Sequence, residues 1–304
     1  MFDIKYFVQM RLEDKVLSLN YRCIMIEKIV LTGAGGRLGS YIREPISKLC
    51  NNLISTDIKE NIGSLYKNEQ YVYADLSNFE QINRIIEGAT MVCHFGAIVD
   101  ELPFEKLLGP NYIGSYNVWE SSRRHNVKRV IYSSSIHAVG MNSKSVTLKP
   151  DTPHRPDSFY GLAKCFTEDL AKMYFEKNGI EAVCLRIASC APVNTARSLS
   201  SWLSYNDLIK LITKSIDTPY AGYTIIYGIS NNDRKNVDNS DASHIGYIPV
   251  DNAEVFAEEI LKKDLTEELS DKGNQCHGGA FVSTALGVSP MKRMKIIHDP
   301  KVKK

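Results

Sequence analysis

The chain has 304 residues and a mass of 34.2 kDa, enough for one large α/β domain or two smaller ones. Hydrophobic residues make up 43% and charged residues 24%, which excludes disordered, collagen-like and low-complexity proteins. The 37 basic and 35 acidic residues are dispersed and give a net charge of +2. This balance argues against nucleic acid or an acidic membrane surface as a partner.

Seven cysteines lie along the chain without a CxxC pair or close histidines. This pattern favours reduced, buried thiols over a disulfide framework, and no bound metal is expected. No stretch reaches the roughly 18 apolar residues of a membrane helix, and no apolar run precedes a small-residue cleavage site at the N-terminus. We therefore expect a cytoplasmic protein that binds no membrane.

Short apolar runs alternate with polar stretches of helical period. The predicted strands span 28–31, 53–56, 71–73, 91–95, 129–132 and 182–185, and helices are predicted near 38–46, 111–124 and 160–177. Strands that alternate with helices form βαβ units with right-handed crossovers. The predicted fold class is therefore α/β, a Rossmann-type, doubly wound parallel sheet.

The alternation ends near residue 190 and suggests three regions. Residues 1–24 are predicted to be an N-terminal extension, and residues 25–190 a domain that binds the cofactor. Residues 191–304 are predicted to be a smaller substrate-binding region with a weakly basic tail, a helix over 202–216 and a strand over 223–227. This region should cover the carboxyl edge of the sheet, where open parallel sheets bind their ligands.

A glycine-rich turn follows the first predicted strand and opens a helix. Gly33 permits a tight turn, Gly36 lets the backbone approach a pyrophosphate, and Gly39 lets the helix pack on the strand. The helix that begins with Arg37 and Leu38 offers free N–H groups to phosphates. A glycine triplet alone is weak evidence for a dinucleotide site, because such spacing also occurs in ordinary turns.

Three further points on the chain match a dinucleotide site. Asp57 ends the second predicted strand, where a carboxylate accepts hydrogen bonds from both ribose hydroxyls. It favours NAD over NADP, because it would repel a 2′-phosphate. Asp75 and Leu76 could meet the adenine, or Asp75 could be only a helix N-cap. Gly96 and Ala97 could let the chain pass close to the cofactor, or form only a tight turn.

Tyr160 and Lys164 lie four residues apart, on one face of a helix predicted to begin at Asp157 or Ser158. Ser135 follows the fifth predicted strand and would place a hydroxyl at the same edge of the sheet. A Tyr-x-x-x-Lys pair alone is usually part of a solvated helix face. In this chain order, after the nucleotide turn and Ser135, the pair indicates a catalytic site.

The glycine turn, Asp57, Asn111, Ser135 and the Tyr160/Lys164 pair resemble the extended short-chain dehydrogenase/reductase family over residues 28–281. Within that family, further segments resemble the uronate dehydrogenases, which oxidise C1 of galacturonate or glucuronate to an aldarolactone with NAD. These segments are residues 117–120, 185–190, 197–204, 238–239, 246–247 and 278–281.

The resemblance implies a role for each matched residue. Tyr160 would be the general base, Lys164 its electrostatic partner, and Ser135 the hydroxyl that orients the reacting oxygen. Asn111 would support a proton-relay water, although it could equally be a buried amide. A phenol that acts near neutral pH needs its pKa lowered by roughly 2 to 3 units, and Lys164 with the oxidised nicotinamide would supply the positive charge.

For a sugar-acid substrate the resemblance implies His137, Ser189, Arg197 and Phe281, with Arg197 clamping the carboxylate. Each of these residues also has an ordinary structural interpretation. His137 could be a core histidine, Ser189 a backbone-bonding serine, Arg197 a member of a surface ion pair, and Phe281 a core residue.

Two positions depart from the family pattern. Val99 and Ile136 stand where a serine and an asparagine are usual. An unmet sugar hydroxyl costs about 1 to 3 kcal/mol, so these changes predict a different or more weakly bound substrate.

Two other functions stay open. A nucleotide-sugar epimerase or dehydratase uses the same fold and the same catalytic residues. A redox-sensing or scaffold protein would bind NAD without turnover and would not need Ser135, Tyr160 and Lys164. We also expect a homo-oligomer that binds a small molecule.

Overall fold

The structure is a computed structural model that describes residues 25–263, 265–291 and 294, with the backbone alone for residue 267. The predicted extension over 1–24 and most of the basic tail lie outside the described residues.

Seven parallel strands form one sheet in the order β3-β2-β1-β4-β5-β6-β7, which confirms the predicted Rossmann-type fold. Each predicted strand lies within, or within one residue of, an observed one. The strands are β1 (Ile26–Thr32), β2 (Cys50–Asp57), β3 (Glu69–Tyr73), β4 (Met91–His94), β5 (Arg129–Tyr132), β6 (Glu181–Ile187) and β7 (Tyr223–Gly228).

Helices lie on both faces of the sheet and beyond its carboxyl edge. The α-helices are α1 (Arg37–Ser47), α2 (Phe79–Ile86), α3 (Phe104–Leu107), α4 (Gly114–Arg124), α5 (Phe159–Asn178), α6 (Ser198–Ser201), α7 (Tyr205–Asp217), α8 (Ala257–Leu261), α9 (Thr266–Ser270) and α10 (Ala280–Ser283). A π-helix spans Leu108–Ile113, and 3-10 helices span Ile136–Val139, Ser240–Ile245, Ala253–Phe256 and Lys272–Gln275.

The central strands are apolar on both sides because helices cover both faces. In β1, Ile29 and Leu31 belong to a core cluster with α1 and α7, whereas Val30 belongs to a cluster with α2, α4 and α5. All three side chains are fully buried. A buried side chain of this size contributes about 1.5 to 3 kcal/mol, so the alternation fixes which face each helix covers.

Helix α5 has clear signals at both ends. The Ser158 hydroxyl accepts a hydrogen bond from the Gly161 N–H, and Gly179 ends the helix in the left-handed region at φ 72°. Its observed span confirms the helix predicted from the Tyr160–Lys164 spacing, and of the two predicted starting positions Ser158 is the cap.

The helix predicted over 202–216 is wrong at its start. Helix α6 ends at Ser201, Trp202 is extended, and α7 begins only at Tyr205. The Leu203 N–H donates to the Ser189 carbonyl, and the Trp202 carbonyl accepts from Ser230. These backbone bonds to the ends of β6 and β7 replace the helical ones.

Across the described ranges no helix is both long and apolar enough to cross a bilayer. The cytoplasmic location and the homo-oligomer stay predictions.

Candidate active site

A cleft of about 960 Å³ lies at the carboxyl ends of the strands. It spans the place between β1 and β4 where the strand order reverses, the usual ligand position in such sheets. The predicted site residues that line it are Gly33, Gly36, Arg37, Leu38, Gly39, Asp57, Asp75, Leu76, Gly96, Ala97, Ser135, His137, Tyr160, Lys164, Ser189, Arg197 and Phe281.

The glycine turn leaves no room for side chains. Gly33 has φ 71°, and a Cβ there would lie 2.6 Å from the Gly96 nitrogen. A Cβ on Gly39 would collide with the Gly33 carbonyl oxygen. Gly36 precedes α1 without a side-chain cap, so N–H groups of the first turn are left for a ligand. This cradle fits the pyrophosphate of a dinucleotide.

The Asp57 carboxylate is oriented by backbone N–H groups. Its oxygens accept from Gly35 at 2.9 Å and from Lys59 at 3.1 Å, and the Lys59 ammonium donates to the Gly35 carbonyl at 2.6 Å. Each carboxylate oxygen has a second lone pair, so the group can still accept ribose hydroxyls. A carboxylate that is held in place and can still accept two hydroxyl groups fits the ribose of NAD.

The segment after β3 excludes Asp75 as the helix N-cap, whereas contact with an adenine stays a prediction. Asn78, not Asp75, caps α2, because its side chain accepts from the Gln81 N–H. Asp75 lies in the cleft lining beside Leu76. A Cβ on Gly96 would lie 2.8 Å from the Leu76 Cδ1 and 3.2 Å from the Gly33 nitrogen, so a side chain there would require the Leu76 side chain to shift.

Three of the predicted catalytic residues meet in the cleft, and all are buried. Tyr160 is 4% exposed and Lys164 3%. Helix α5 presents both, with the Lys164 ammonium 5.3 Å from the Tyr160 ring centre and 2.7 Å from the Ser133 carbonyl oxygen. Ser135 lies just past β5 and lines the cleft with Tyr160, and its hydroxyl acts to lower the pKa of the Tyr160 phenol. The set can hold a hydroxyl oxygen and move a proton.

Burial opposes the predicted lowering of the phenol pKa. Burial raises the pKa of Tyr160 above its usual value, and Asp157 raises it further, whereas the Ser135 hydroxyl and Arg37 act to lower it. Burial also lowers the pKa of Lys164 to about 7, against the attraction of Glu168. In the protein alone Tyr160 is therefore a neutral phenol.

His137 is both a buried residue and a cleft residue. Its Nδ1 lies 2.8 Å from the Asp157 carboxylate, and its ring centre lies 3.9 Å from that of Phe281. Because the carboxylate only accepts, Nδ1 carries the proton, as assigned from this contact. A Cβ on Gly140 or Gly278 would collide with Asp157, so these glycines make room for it.

Sequence reasoning missed Asp157 as the partner of His137. The two residues are 20 positions apart, and Asp157 was considered only as the start of a helix. It also missed Glu101, a buried carboxylate that accepts from the Tyr160 N–H at 2.9 Å. Neither acid belongs to a recognisable motif, so tertiary packing was the only signal.

Arg197 forms no ion pair with any residue that the structure describes. Its guanidinium donates to the His277 carbonyl and, at 3.4 Å, to the Ser201 hydroxyl. The surface ion pair considered as an alternative is therefore not observed in the described part. Burial lowers the Arg197 pKa, while Asp157 and Glu268 raise it.

Asn111 lies outside the cleft lining. It is 3% exposed, and its amide accepts from the Ile98 N–H at 2.8 Å and donates to the Ile98 carbonyl at 2.9 Å. Of the two alternatives, the buried amide is the one observed, and it holds the segment after β4. The proton-relay water stays a prediction.

The two departures from the family pattern have different positions. Val99 is 59% exposed and lines the cleft, so it presents an apolar group there. Ile136 is buried in a cluster with Val139, Leu148 and Tyr227 and does not line the cleft. Ile136 also lines a smaller cavity of about 130 Å³ that shares Ala188 and Arg197 with the cleft, so the expectation that it removes a substrate contact stays a prediction.

Residues 29–204 match the model of the NAD dependent epimerase/dehydratase family, and the chain belongs to this family. That description agrees with the predicted NAD cofactor.

Among curated proteins, the chain is similar to a uronate dehydrogenase of Pseudomonas syringae pv. tomato, 38% identical over 84% of this chain and 94% of that protein. Among solved structures it is similar to a glucuronic acid dehydrogenase from Chromohalobacter salexigens, with a TM-score of 0.83, 32% identity, and coverage of 86% of this chain and 99% of that one. A variant of the Agrobacterium tumefaciens uronate dehydrogenase, complexed with NAD, has a TM-score of 0.81, 36% identity, and coverage of 85% and 98%.

Proposed function

We propose that the protein oxidises C1 of a hexuronic acid, galacturonate or glucuronate, to the aldarolactone with NAD. The observation that carries the proposal is one cleft that combines the glycine turn with Ser135, Tyr160, Lys164 and Arg197. The similarity to uronate and glucuronic acid dehydrogenases over most of the chain supports the substrate class.

Ser135 and Tyr160 would hold the C1 hydroxyl of the sugar, and Tyr160 would take its proton. When bound, the oxidised nicotinamide supplies a hydride acceptor and a positive charge. That charge, with Lys164, has to offset the burial that raises the Tyr160 pKa. The C1–H electron pair leaves as hydride, and C1 becomes the lactone carbonyl carbon.

The C6 carboxylate would contact the Arg197 guanidinium, whose planar fork binds a carboxylate through two N–H groups. His137 would present its Nε2 lone pair to a sugar hydroxyl, because Nδ1 donates to Asp157. Ser189 and Phe281 would complete the pocket. In this assignment residues 25–190 bind the cofactor and residues 191–304 cover the substrate.

A spectrophotometric panel tests the proposal. We expect NADH formation from galacturonate or glucuronate, with weaker activity on galactose and glucose and none on nucleotide sugars. Arg197→Ala should raise the KM for uronates by about tenfold or more, because a charge-assisted bond contributes about 1.5 to 3 kcal/mol. It should change the kinetics with neutral aldoses much less.

Equal effects on both substrate classes would show that Arg197 is structural. Tightly bound NAD, turnover of nucleotide sugars and no NADH from any acid would contradict the proposal and favour an epimerase or dehydratase.

A further inference from the structure

The Glu101 carboxylate links the helix that carries Tyr160 to the C-terminal part of the described chain. Glu101 is 2% exposed and lies in the segment that follows β4. One of its oxygens accepts a hydrogen bond from the Tyr160 N–H at 2.9 Å, and the other accepts from the Gly287 N–H at 2.9 Å. These donors are 59 and 186 positions away, so one side chain joins three segments that are distant in the sequence.

The contact with Tyr160 lies at the start of α5, where backbone N–H groups have no partner within the helix. The Ser158 hydroxyl accepts from the Gly161 N–H, and Glu101 accepts from the Tyr160 N–H. The dipole of the helix also favours a negative charge at this end. The carboxylate therefore fixes the backbone of the proposed general base.

The contact with Gly287 fixes a second part of the site. The Ser289 hydroxyl donates to the Asp100 carboxylate at 2.6 Å, so Asp100 and Glu101 together hold two points of the chain beyond α10. This part of the chain supplies two side chains to the cleft lining, those of Met291 and Met294. We call residues 284–291 together with Met294 the C-terminal wall.

The C-terminal wall reaches the surroundings of the proposed general base. Met294 packs against a buried cluster of Leu107, Tyr160 and Phe281. Within this cluster the ring centres of Tyr160 and Phe281 lie 6.1 Å apart. Loss of the Glu101 carboxylate would therefore release the backbone of Tyr160 and also a wall that packs on the same cluster.

The segment between β4 and Glu101 belongs to the cleft as well. Ile98 and Val99 line the cleft, and the Asn111 amide holds the backbone of Ile98 through two hydrogen bonds. Glu101 attaches the far end of this segment to α5. The cleft residues after β4 are thus held at one end by Asn111 and at the other by Glu101.

We propose that Glu101 is a positioning residue of the dehydrogenase reaction, which holds Tyr160 and the C-terminal wall in the arrangement that the reaction needs. This inference rests on the proposed function. Glu101 is not among the described residues that line the cleft, so it acts through Tyr160 and not on the substrate. A displacement of about 1 Å at a reacting group can slow a reaction about a hundredfold.

Hydrogen–deuterium exchange of the cofactor-free protein, measured by mass spectrometry, tests the two contacts without turnover. Glu101→Ala should speed exchange of the Tyr160 and Gly287 N–H groups by about tenfold or more, because each loses a charge-assisted hydrogen bond. The matched control is Ser204→Ala, which removes the acceptor of the Asp207 N–H at the start of α7, away from the described cleft lining. It should leave exchange at Tyr160 and Gly287 unchanged.

Kinetics with galacturonate and NAD test the role in the reaction. Glu101→Ala should lower kcat, counted per NAD-binding site, by about tenfold to a hundredfold. The Kd for NAD, measured by fluorescence titration, should stay close to that of the wild type, because the glycine turn and Asp57 lie on other elements. Ser204→Ala should keep both values. A role in stability alone would lower the number of NAD-binding sites and leave kcat per site unchanged.

A milder variant serves if Glu101→Ala does not fold. Glu101→Gln keeps one acceptor oxygen, so it should speed exchange at one of the two N–H groups and lower kcat less than Glu101→Ala does. Unchanged exchange at both N–H groups, or faster exchange at Tyr160 with a wild-type kcat, would overturn the inference and leave the proposed function intact. If the wild type forms no NADH from a uronate, the proposed function fails, and the exchange rates alone decide whether Glu101 fixes Tyr160.

Discussion

The surroundings of Tyr160 act on its pKa in opposite directions. Burial and the Asp157 carboxylate stabilise the neutral phenol, whereas Ser135 and Arg37 favour the phenolate. A buried phenol in this balance is poorly ionised until another positive charge arrives. The proposed general base would therefore act only in the complex with the oxidised cofactor, which prevents a permanently ionised group in the empty cleft.

Replacing the phenol tests the role of this single oxygen. Tyr160→Phe should lower kcat by about a hundredfold to ten-thousandfold, because it removes the group that accepts the proton. NAD affinity, measured by fluorescence titration, should stay close to that of the wild type. The exposed Tyr220→Phe serves as the control, since Tyr220 is 65% exposed. Near-normal NADH formation by Tyr160→Phe would contradict the assigned base.

At the scale of elements, the unit of β1, the glycine turn and α1 builds the cofactor side of the site. The strand is buried on both faces, so its position is fixed, and the turn then places the N-terminus of α1 at the cleft. Gly39 allows α1 to start against the backbone of the turn. The packing of α1 against the turn therefore depends on the absence of a side chain at Gly39, because a methyl group there would overlap the Gly33 carbonyl oxygen.

Adding that methyl group tests the unit. Gly39→Ala should weaken NAD binding by about tenfold or more and lower the unfolding temperature, because the new Cβ would overlap the Gly33 carbonyl oxygen and strain of this kind costs about 1 to 3 kcal/mol. Gly109→Ala is the matched control, since a Cβ there would lie 3.6 Å from its nearest neighbour, in Ser77. Wild-type NAD affinity in Gly39→Ala would show that the turn tolerates a side chain.

At the scale of the whole molecule, buried charges link elements that are distant in the chain. Arg186 of β6 pairs with Glu168 of α5 at 2.8 Å, and Arg129 of β5 pairs with Glu181 of β6 at 2.7 Å. Lys164 is different, because its ammonium donates to a backbone carbonyl and forms no salt bridge with a described residue. The fold therefore buries this lysine at a cost in stability.

That cost should depend on pH. The Lys164 pKa is about 7 in the folded protein and about 10.4 in an unfolded chain, so between these values the unfolded state binds more protons. The loss of folding stability caused by burying Lys164 is therefore complete below pH 7 and disappears as the pH rises towards 10.4. The free energy of unfolding of the wild type, relative to Lys164→Met, should therefore increase between pH 6 and pH 10.

Urea unfolding of the cofactor-free protein measures this difference. Lys172→Met, in which an exposed lysine is replaced, should keep the pH dependence of the wild type. A constant difference between wild type and Lys164→Met across this range would show that Lys164 is charged in the fold at every pH.

Local features of the sequence were sufficient for the sheet and the cofactor turn. Strands that are buried on both faces are continuous apolar runs, and β1 and β5 were recognisable for this reason. The Gly33–Gly39 spacing and Asp57 were informative because turn, helix start and strand end are neighbours in the chain. The Tyr160–Lys164 pair was predictable because helical spacing alone puts both side chains on one face.

Contacts between distant segments were decided only by the tertiary structure. The sequence did not indicate that Asp157 meets His137, that Ile136 points into the core, or that Trp202 interrupts a helix to bridge strand ends. The smaller cavity beside Arg197, which Ile136 and His277 also line, likewise joins segments far apart in the chain.

The sequence by itself thus determined the α/β class, the strand positions, the glycine turn and the helix that carries Tyr160, because each depends on residues within a few positions of one another. The tertiary structure decided the partners of the site residues and the sign of the Tyr160 pKa shift. Both depend on which distant groups exclude water from a side chain and which charges they bring close to it.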